Sequence, residues 1–191
     1  MPGPIDQTLS SRRDTHLLKY DGGVLVSQLS NADRYEFANP LHRFNGVKPW
    51  ALGLAPLPPG MDYADMVEAG IDSTEYLQAA GSDPKTIMVE IRKPGGQQWA
   101  VEWVRYAVGH PHQGDKEPAA VAVKLPVGTY TIPCHEVFDA DEATELFWTY
   151  YKTGDIPDDY SLRPIEGYTT DGAIFDLRDG TPRMVYAGKK H

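Results

Sequence analysis

The sequence has one cysteine, Cys134, so no intrachain disulfide can form and Cys-rich zinc modules are excluded. Long apolar runs are absent as well. No stretch approaches the ~18 apolar residues of a membrane span. Residues 1–14 hold no apolar h-region, and Arg12-Arg13 is followed by Asp14 and polar residues, so neither a secretory nor a twin-arginine signal is expected there. A cytoplasmic protein is the expectation. Bases are few beside acids: 18 Lys+Arg against 27 Asp+Glu give a formal net charge of −9. Nucleic-acid binders need bases to neutralise phosphates, so no direct nucleic-acid partner is expected. The same charge disfavours anionic lipid, and no membrane partner is expected.

What is present suits a folded domain. In 191 residues, 41% are hydrophobic and 10% aromatic, enough for a core. The length predicts a single domain over residues 16–191, behind a mobile tail at residues 1–15. Pro and Gly punctuate the chain in short turns. Asp21-Gly22 is a hairpin signal between residues 17–20 and 23–29. Asn39-Pro40, Asn45-Gly46, Lys48-Pro49 and Leu57-Pro58-Pro59-Gly60 break residues 31–62, which are expected to wrap irregularly around the core. A helix is expected over 74–80, capped by Asp72 or Ser73 and ended by Gly81. Residues 86–92 alternate Ile87, Val89 and Ile91 with polar residues, the period of a half-buried strand.

A turn at Lys93-Pro94-Gly95-Gly96 leads into a long strand expected over 98–108. After a polar loop at 109–118, strands over 119–125 and 129–133 flank Pro126-Val127-Gly128. Three or four of these strands should form an antiparallel meander. Further short strands are expected over 160–163, 165–169, 173–177 and 184–187. The clearest element is a helix over 140–153. Asp139 and Glu142 make a variant capping box, Ala143, Leu146, Phe147, Tyr150 and Tyr151 form one apolar stripe, and Gly154 ends it before Pro157. The predicted class is α+β: an antiparallel meander sheet packed by a C-terminal amphipathic helix, with an irregular N-terminal wrap.

Charge is unevenly distributed. Residues 136–179 hold 12 acids and 3 bases, a balance equal to that of the whole chain. Such a segment suggests a negative field that steers a basic partner. Asp139, Asp141, Glu142 and Glu145 also serve the helix N-terminus, where the dipole favours anions. Asp155, Asp158 and Asp159 lie beyond the C-terminus, where the dipole opposes them. They serve either solubility or a contact surface. Trp148 points off the apolar stripe, so it is either covered by the N-terminal half or exposed as an anchor.

Catalytic signatures are weak. His110-Pro111-His112 offers two metal ligands where a site needs a third, so no metal is assigned. Cys134 and His135 are neighbours that point apart in an extended segment, and Cys134 is expected to be a small packed residue. Ser82-Asp83-Pro84-Lys85 and Lys152-Thr153-Gly154 evoke serine β-lactamases, but Pro84 sits inside the turn that would align Ser82 with Lys85, and Lys-Thr-Gly closes a helix here. No Gly-rich phosphate loop of standard pattern occurs. No catalytic residue and no cofactor are assigned. Trp99, Trp103, Tyr106, Phe147, Tyr150 and Tyr151 are spaced as core positions.

Over residues 86–163 the order of strand, Gly-rich turn, Trp-containing strand, hairpin and helix, ending Tyr151-Lys152-Thr153-Gly154-Asp155-Ile156-Pro157, resembles a bacterial immunity-protein family. That family stands beside deaminase toxins in polymorphic toxin systems. Its members close the helix with an aromatic–x–Thr-Gly–x–x-Pro turn, matched here by Tyr151, Thr153, Gly154 and Pro157. Where the family has a Trp after that turn, this chain has Tyr160. The resemblance implies a meander sheet with helices on one face, and a non-enzymatic protein that neutralises a secreted toxin.

The functional expectation is therefore an immunity protein that occludes a basic toxin domain. Glu142, Glu145, Asp155, Asp158 and Asp159 would form the acidic surface, with Trp148 and Tyr160 as anchors. The alternative is a small-molecule enzyme or ligand-binding protein with an aromatic pocket between the N-terminal wrap and the sheet, using His110, His112 or His135. A component of a larger assembly is a third reading. A deep pocket with convergent polar groups would favour the second, and a flat acidic patch with an exposed aromatic the first.

Overall fold

The computed structural model describes residues 15–111 and 119–188. Its elements in chain order are β1 (His16–Tyr20), β2 (Leu25–Leu29), α1 (Arg34–Leu41), β3 (Ala51–Pro56), α2 (Tyr63–Glu68), β4 (Tyr76–Asp83), β5 (Thr86–Pro94), β6 (Trp103–Gly109), β7 (Ala120–Leu125), β8 (Gly128–Pro133), α3 (Ala140–Thr153), β9 (Ser161–Tyr168), β10 (Ala173–Asp176) and β11 (Arg183–Ala187). The class is α+β. Nine strands form one antiparallel sheet in the order β2-β1-β3-β4-β5-β6-β9-β10-β11. From β3 onward this is a meander, broken once between β6 and β9. There the chain leaves the sheet to make the β7–β8 hairpin, which pairs only with itself, and then α3. The expected tail lies, but for residue 15, outside the described residues, as do His112 and most of the 109–118 loop.

Alternation along the strands sorts side chains to two faces. Leu18, Leu52, Leu54, Leu77, Ile87 and Ile91 share one core with Phe37 and Leu41 of α1 and Leu146 and Phe147 of α3. The Phe37 and Phe147 rings lie 5.9 Å apart and fix α1 against α3. Farther along the sheet, Val101, Val104 and Leu177 make a smaller cluster with Trp99 and Phe175. On the opposite face, α2 covers only the β1–β2 end, through Leu17, Leu57, Met66 and Val26. The rest of that face is left to the β7–β8 hairpin and to solvent.

α3 has the predicted bounds. Asp139 accepts from the Glu142 amide at 2.9 Å, and Gly154, at φ 78°, donates to the Tyr150 carbonyl at 2.7 Å. The capping box is only half formed. The Glu142 carboxylate turns away from the Asp139 amide toward two tertiary partners described below. Two-way backbone bonds between Ile87 and Phe138, and an Ala140 amide bond to the Pro84 carbonyl, tie the start of α3 to the β4–β5 turn.

Several local expectations are corrected. Residues 74–80 form no helix, and from Tyr76 on they are in β4: Leu77 and Ala79 alternate with Gln78 and Ala80 opposite β5. A helix that short repays its nucleation poorly, whereas β5 supplies a complete ladder. Residues 31–62 are not wholly irregular, since they contain α1 and β3. Pro40 sits in the last turn of α1, where one lost amide bond costs little of the helix. The strand expected at 98 begins at Trp103, because Gln97–Trp99 form a 3-10 turn and Ala100 is left-handed at φ 55°. The two strands expected around Pro164 are the single strand β9, with a register shift beside the proline that relieves its missing donor.

Phe147 is fully buried between sheet and helix. Phe147→Ala should lower unfolding free energy by roughly 3–5 kcal/mol in denaturant titrations, and the exposed Val185→Ala should change it by less than about 0.5 kcal/mol. Equal losses would contradict this placement of the core.

Candidate functional site

The face opposite α1 and α3 carries the polar positions of the central strands. Register places Tyr76 of β4 opposite Arg92 of β5, Arg92 opposite Arg105 of β6, and Arg105 opposite Glu166 of β9. One pleat away, Gln78 lies opposite Glu90. Neighbouring strands run about 4.8 Å apart, so these side chains form one contiguous polar surface.

Arg105 organises it. One guanidinium nitrogen donates to Glu90 at 2.7 Å and the other terminal nitrogen forms an ion pair with Glu166 at 2.8 Å. Gln78 also donates to Glu90, at 2.6 Å, and the Tyr168 hydroxyl to Glu166, at 2.6 Å. Burial works against the Arg105 charge, but Glu90, Tyr168 and Glu166 outweigh it and push its pKa up, so Arg105 stays charged. The Tyr76 hydroxyl is pushed up chiefly by burial, against the pull of Arg105 and Arg92.

Arg92 differs from Arg105. Its guanidinium stands 3.7 Å from the Tyr168 ring centre and 5.8 Å from that of Trp103. It has no carboxylate within ion-pair distance among the described residues. The Nε atoms of Arg92 and Arg105 and the Oγ atom of Ser73 are buried without a hydrogen-bond partner. All three residues line one cavity of about 480 Å³.

Its floor is β3, β4 and β5, where Ala51, Gly53 and Ala80 leave room, and its other walls include Trp50 and the hairpin residues Leu125, Val127 and Tyr130. Ser73, expected to cap a helix, instead lies on this wall. A smaller cavity of about 170 Å³ shares Met88, Glu90 and Tyr130 and reaches Glu136 and Arg163. Glu136 is buried and held by Arg163 through two bonds of 2.6 and 2.7 Å.

The predicted partner surface is placed differently. Glu142 accepts from His110 Nε2 at 2.9 Å and from the Tyr160 hydroxyl at 2.9 Å. Glu145 pairs with Arg34 at 3.1 Å. Trp148 is half-buried, stacked on Tyr151, with Arg34 and Lys152 over its ring at 5.5 and 4.5 Å. Asp155 pairs with Lys93. Asp158 and Asp159 are exposed, and their side chains make no hydrogen bond or ion pair among the described residues. Glu142 and Tyr160 therefore meet, whereas Glu145 and Trp148 sit against α1 and Asp155 against the end of β5.

Cys134 is exposed, contrary to expectation. It starts a 3-10 turn (Cys134–Glu136) whose inward residue is Glu136. No group of three or more His, Cys, Asp or Glu able to hold a metal occurs among the described residues, and no helix among them is long and apolar enough to cross a membrane.

Sequence reasoning missed Ser73, Tyr76, Gln78, Arg92 and Arg105. The one available signal was the polar half of the strand at 86–92, which alternation alone assigns to solvent. No protein-family model, curated protein or solved structure matches the chain.

His110 donates Nδ1–H to the His135 carbonyl at 2.8 Å while Nε2 faces Glu142. Burial lowers its pKa, but the bonds to Glu142 and His135 and the charges of Glu142 and Asp139 prevail, holding it above 6.5. Its stabilising contribution is then complete below 6.5 and is lost as pH rises through the raised folded value. The melting temperature of the parent protein should fall relative to that of His110→Gln as pH is raised above 6.5. Parallel profiles would show that the imidazolium contributes nothing.

Proposed function

We propose that this is a binding protein whose site is the cavity beneath the β7–β8 hairpin, and that it takes a small organic molecule. One observation carries the reading: Ser73, Arg92 and Arg105, each with a buried donor atom that has no hydrogen-bond partner among the described residues, converge on the lining of the same cavity. Buried donors are nearly always satisfied, by protein, ordered water or ligand. The volume, about 480 Å³, falls within the ~300–1,000 Å³ of small-molecule sites. Trp50, Leu125 and Val127 supply apolar wall, and the polar row supplies orientation.

The cavity is tested with the neutral fluorophore N-phenylnaphthylamine. Saturable binding to the parent protein is expected, with loss of at least about tenfold in affinity in Ala80→Phe, whose ring would occupy the floor. Absence of saturation, or equal binding by the variant, would remove the cavity as a site.

A second reading keeps the toxin-neutralising immunity protein. It is supported by the turn after α3, where Gly154 is left-handed and Ile156 is buried, so that Asp158 and Asp159 stand exposed beside Tyr160. The sheet with α1 and α3 on one face also agrees with the architecture that the resemblance implies. On this reading a basic toxin domain meets the acidic turn and its active site is occluded. Lysine at both Asp158 and Asp159 should slow association with a basic toxin domain recovered from the host, most at low salt. An unchanged rate at low salt would exclude this surface.

A further inference from the structure

Resting on the cavity reading, we infer that the ligand is a small organic monocarboxylate whose acid group is received by Arg92 and whose apolar body lies toward Ala80, Leu125 and Val127. Three cationic side chains line the cavity, Lys19, Arg92 and Arg105, and of these only Arg105 is in an ion pair among the described residues. Arg105 is engaged by Glu90 and Glu166 on both terminal nitrogens. Arg92 pairs with no carboxylate among the described residues, and its Nε is buried without an acceptor. Arg92 is half-buried, and a cation without a counter-ion in a half-enclosed place attracts an anion more strongly than one in open solvent.

Arg92 is also pre-set for this task. The face of Tyr168 lies 3.7 Å from the guanidinium carbon, with Trp103 at 5.8 Å, and stacking of this kind leaves the in-plane N–H groups free. A planar fork of N–H donors matches a carboxylate, which can accept two parallel bonds. The Ser73 hydroxyl, buried and without a partner, adds a neutral donor on the same wall. Charge limits the ligand to one negative group at this end. Glu90 and Asp72 also line the cavity, and Glu166 stands behind Arg105, so a phosphate dianion would meet carboxylates on several sides.

The opposite part of the cavity is largely apolar, with Lys19 beside Gly53 as its one charged side chain among the described residues. Ala51, Gly53 and Ala80 present little side chain, and the hairpin closes over them with Leu125 and Val127. Val127 is 61% exposed, so a ligand body beneath the hairpin would cover apolar surface that the protein alone leaves wet.

The test compares two fluorophores with similar aromatic bodies, anilinonaphthalenesulfonate, a monoanion, and N-phenylnaphthylamine, which is neutral. Titrations use the full chain, Arg92→Met, Arg92→Lys and the cavity-filling Ala80→Phe, each checked by circular dichroism. The anion should bind the parent about ten- to hundredfold more tightly than the neutral probe, the range for a charge-assisted pair. Arg92→Met should abolish that preference, weakening the anionic probe at least about tenfold more than the neutral one, and Arg92→Lys should retain part of it. Octanoate should displace the anionic probe at lower concentration than inorganic phosphate. Equal binding of the two probes by the parent, a preference that survives Arg92→Met, or stronger displacement by phosphate would overturn the inference while the cavity reading stands. Failure of both probes to saturate, or unchanged binding by Ala80→Phe, would overturn both. Should Arg92→Met misfold, the parent's preference and the octanoate competition still decide.

Discussion

Arg105 holds two carboxylates at once, and the open face of the sheet is arranged around that fact. Glu90 and Glu166 come from the strands on either side of it, and Gln78 and Tyr168 complete their hydrogen bonding. A half-buried cation between two anions is tolerable because both terminal nitrogens of Arg105 face a carboxylate and both carboxylates have a second donor. Removing one member would leave a charge uncompensated in a place with little water. The network also divides labour between the two arginines. By engaging both carboxylates, Arg105 leaves Arg92 stacked on Tyr168 with its donors unassigned. The chemical character of the cavity is thus a consequence of strand register.

One excursion of the chain supplies cover for both faces. Between β6 and β9 the polypeptide makes the β7–β8 hairpin on one side of the sheet and α3 on the other. α3 brings Phe147, Leu146 and Tyr150 to the apolar face, so that side is closed as a core. The hairpin brings Val123 inward but leaves a gap over Ala51, Gly53 and Ala80. A helix laid on large apolar side chains packs them, whereas a narrow hairpin laid over small residues leaves a cavity. Buried Glu136 with Arg163, between hairpin and helix, secures the crossing.

These differences also explain what could be read in advance. α3 was legible because its signals are local: a capping Asp139, an apolar stripe and Gly154. The strand at 86–92 was legible from alternation. β4 was not, because Leu77 and Ala79 span too few residues to separate a period of two from one of 3.6, and Asp72-Ser73 imitates a helix cap. Glu142 shows the same limit at a single residue. Its spacing from Asp139 fits a capping box, yet His110 and Tyr160, distant in sequence, claim its carboxylate. The site was hidden for that reason. Arg92, Arg105 and Tyr76 become neighbours only through the pairing of β4, β5 and β6, which no local pattern encodes.

Charge segregation along the chain illustrates how folding redistributes a sequence property. The acid excess of residues 136–179 suggests a negative field, but much of it is met by bases from elsewhere. Arg34 takes Glu145, Lys93 takes Asp155, Arg105 takes Glu166, and Arg183 reaches Asp176 and Asp179. His42 and His110 face Asp141 and Glu142. Exposed pairs of this kind add little stability, yet each removes a charge from the outward field. Within residues 136–179, Asp139, Asp158, Asp159 and Asp171 remain exposed without an ion pair among the described residues, and of these Asp158 and Asp159 are adjacent. Uncompensated positive charge lines the cavity at Arg92 and Lys19, neither of which is in an ion pair among the described residues. A half-enclosed charge is screened less than an exposed one, so the field of Arg92 is felt more strongly within the cavity than that of Asp158 and Asp159 on a solvated turn.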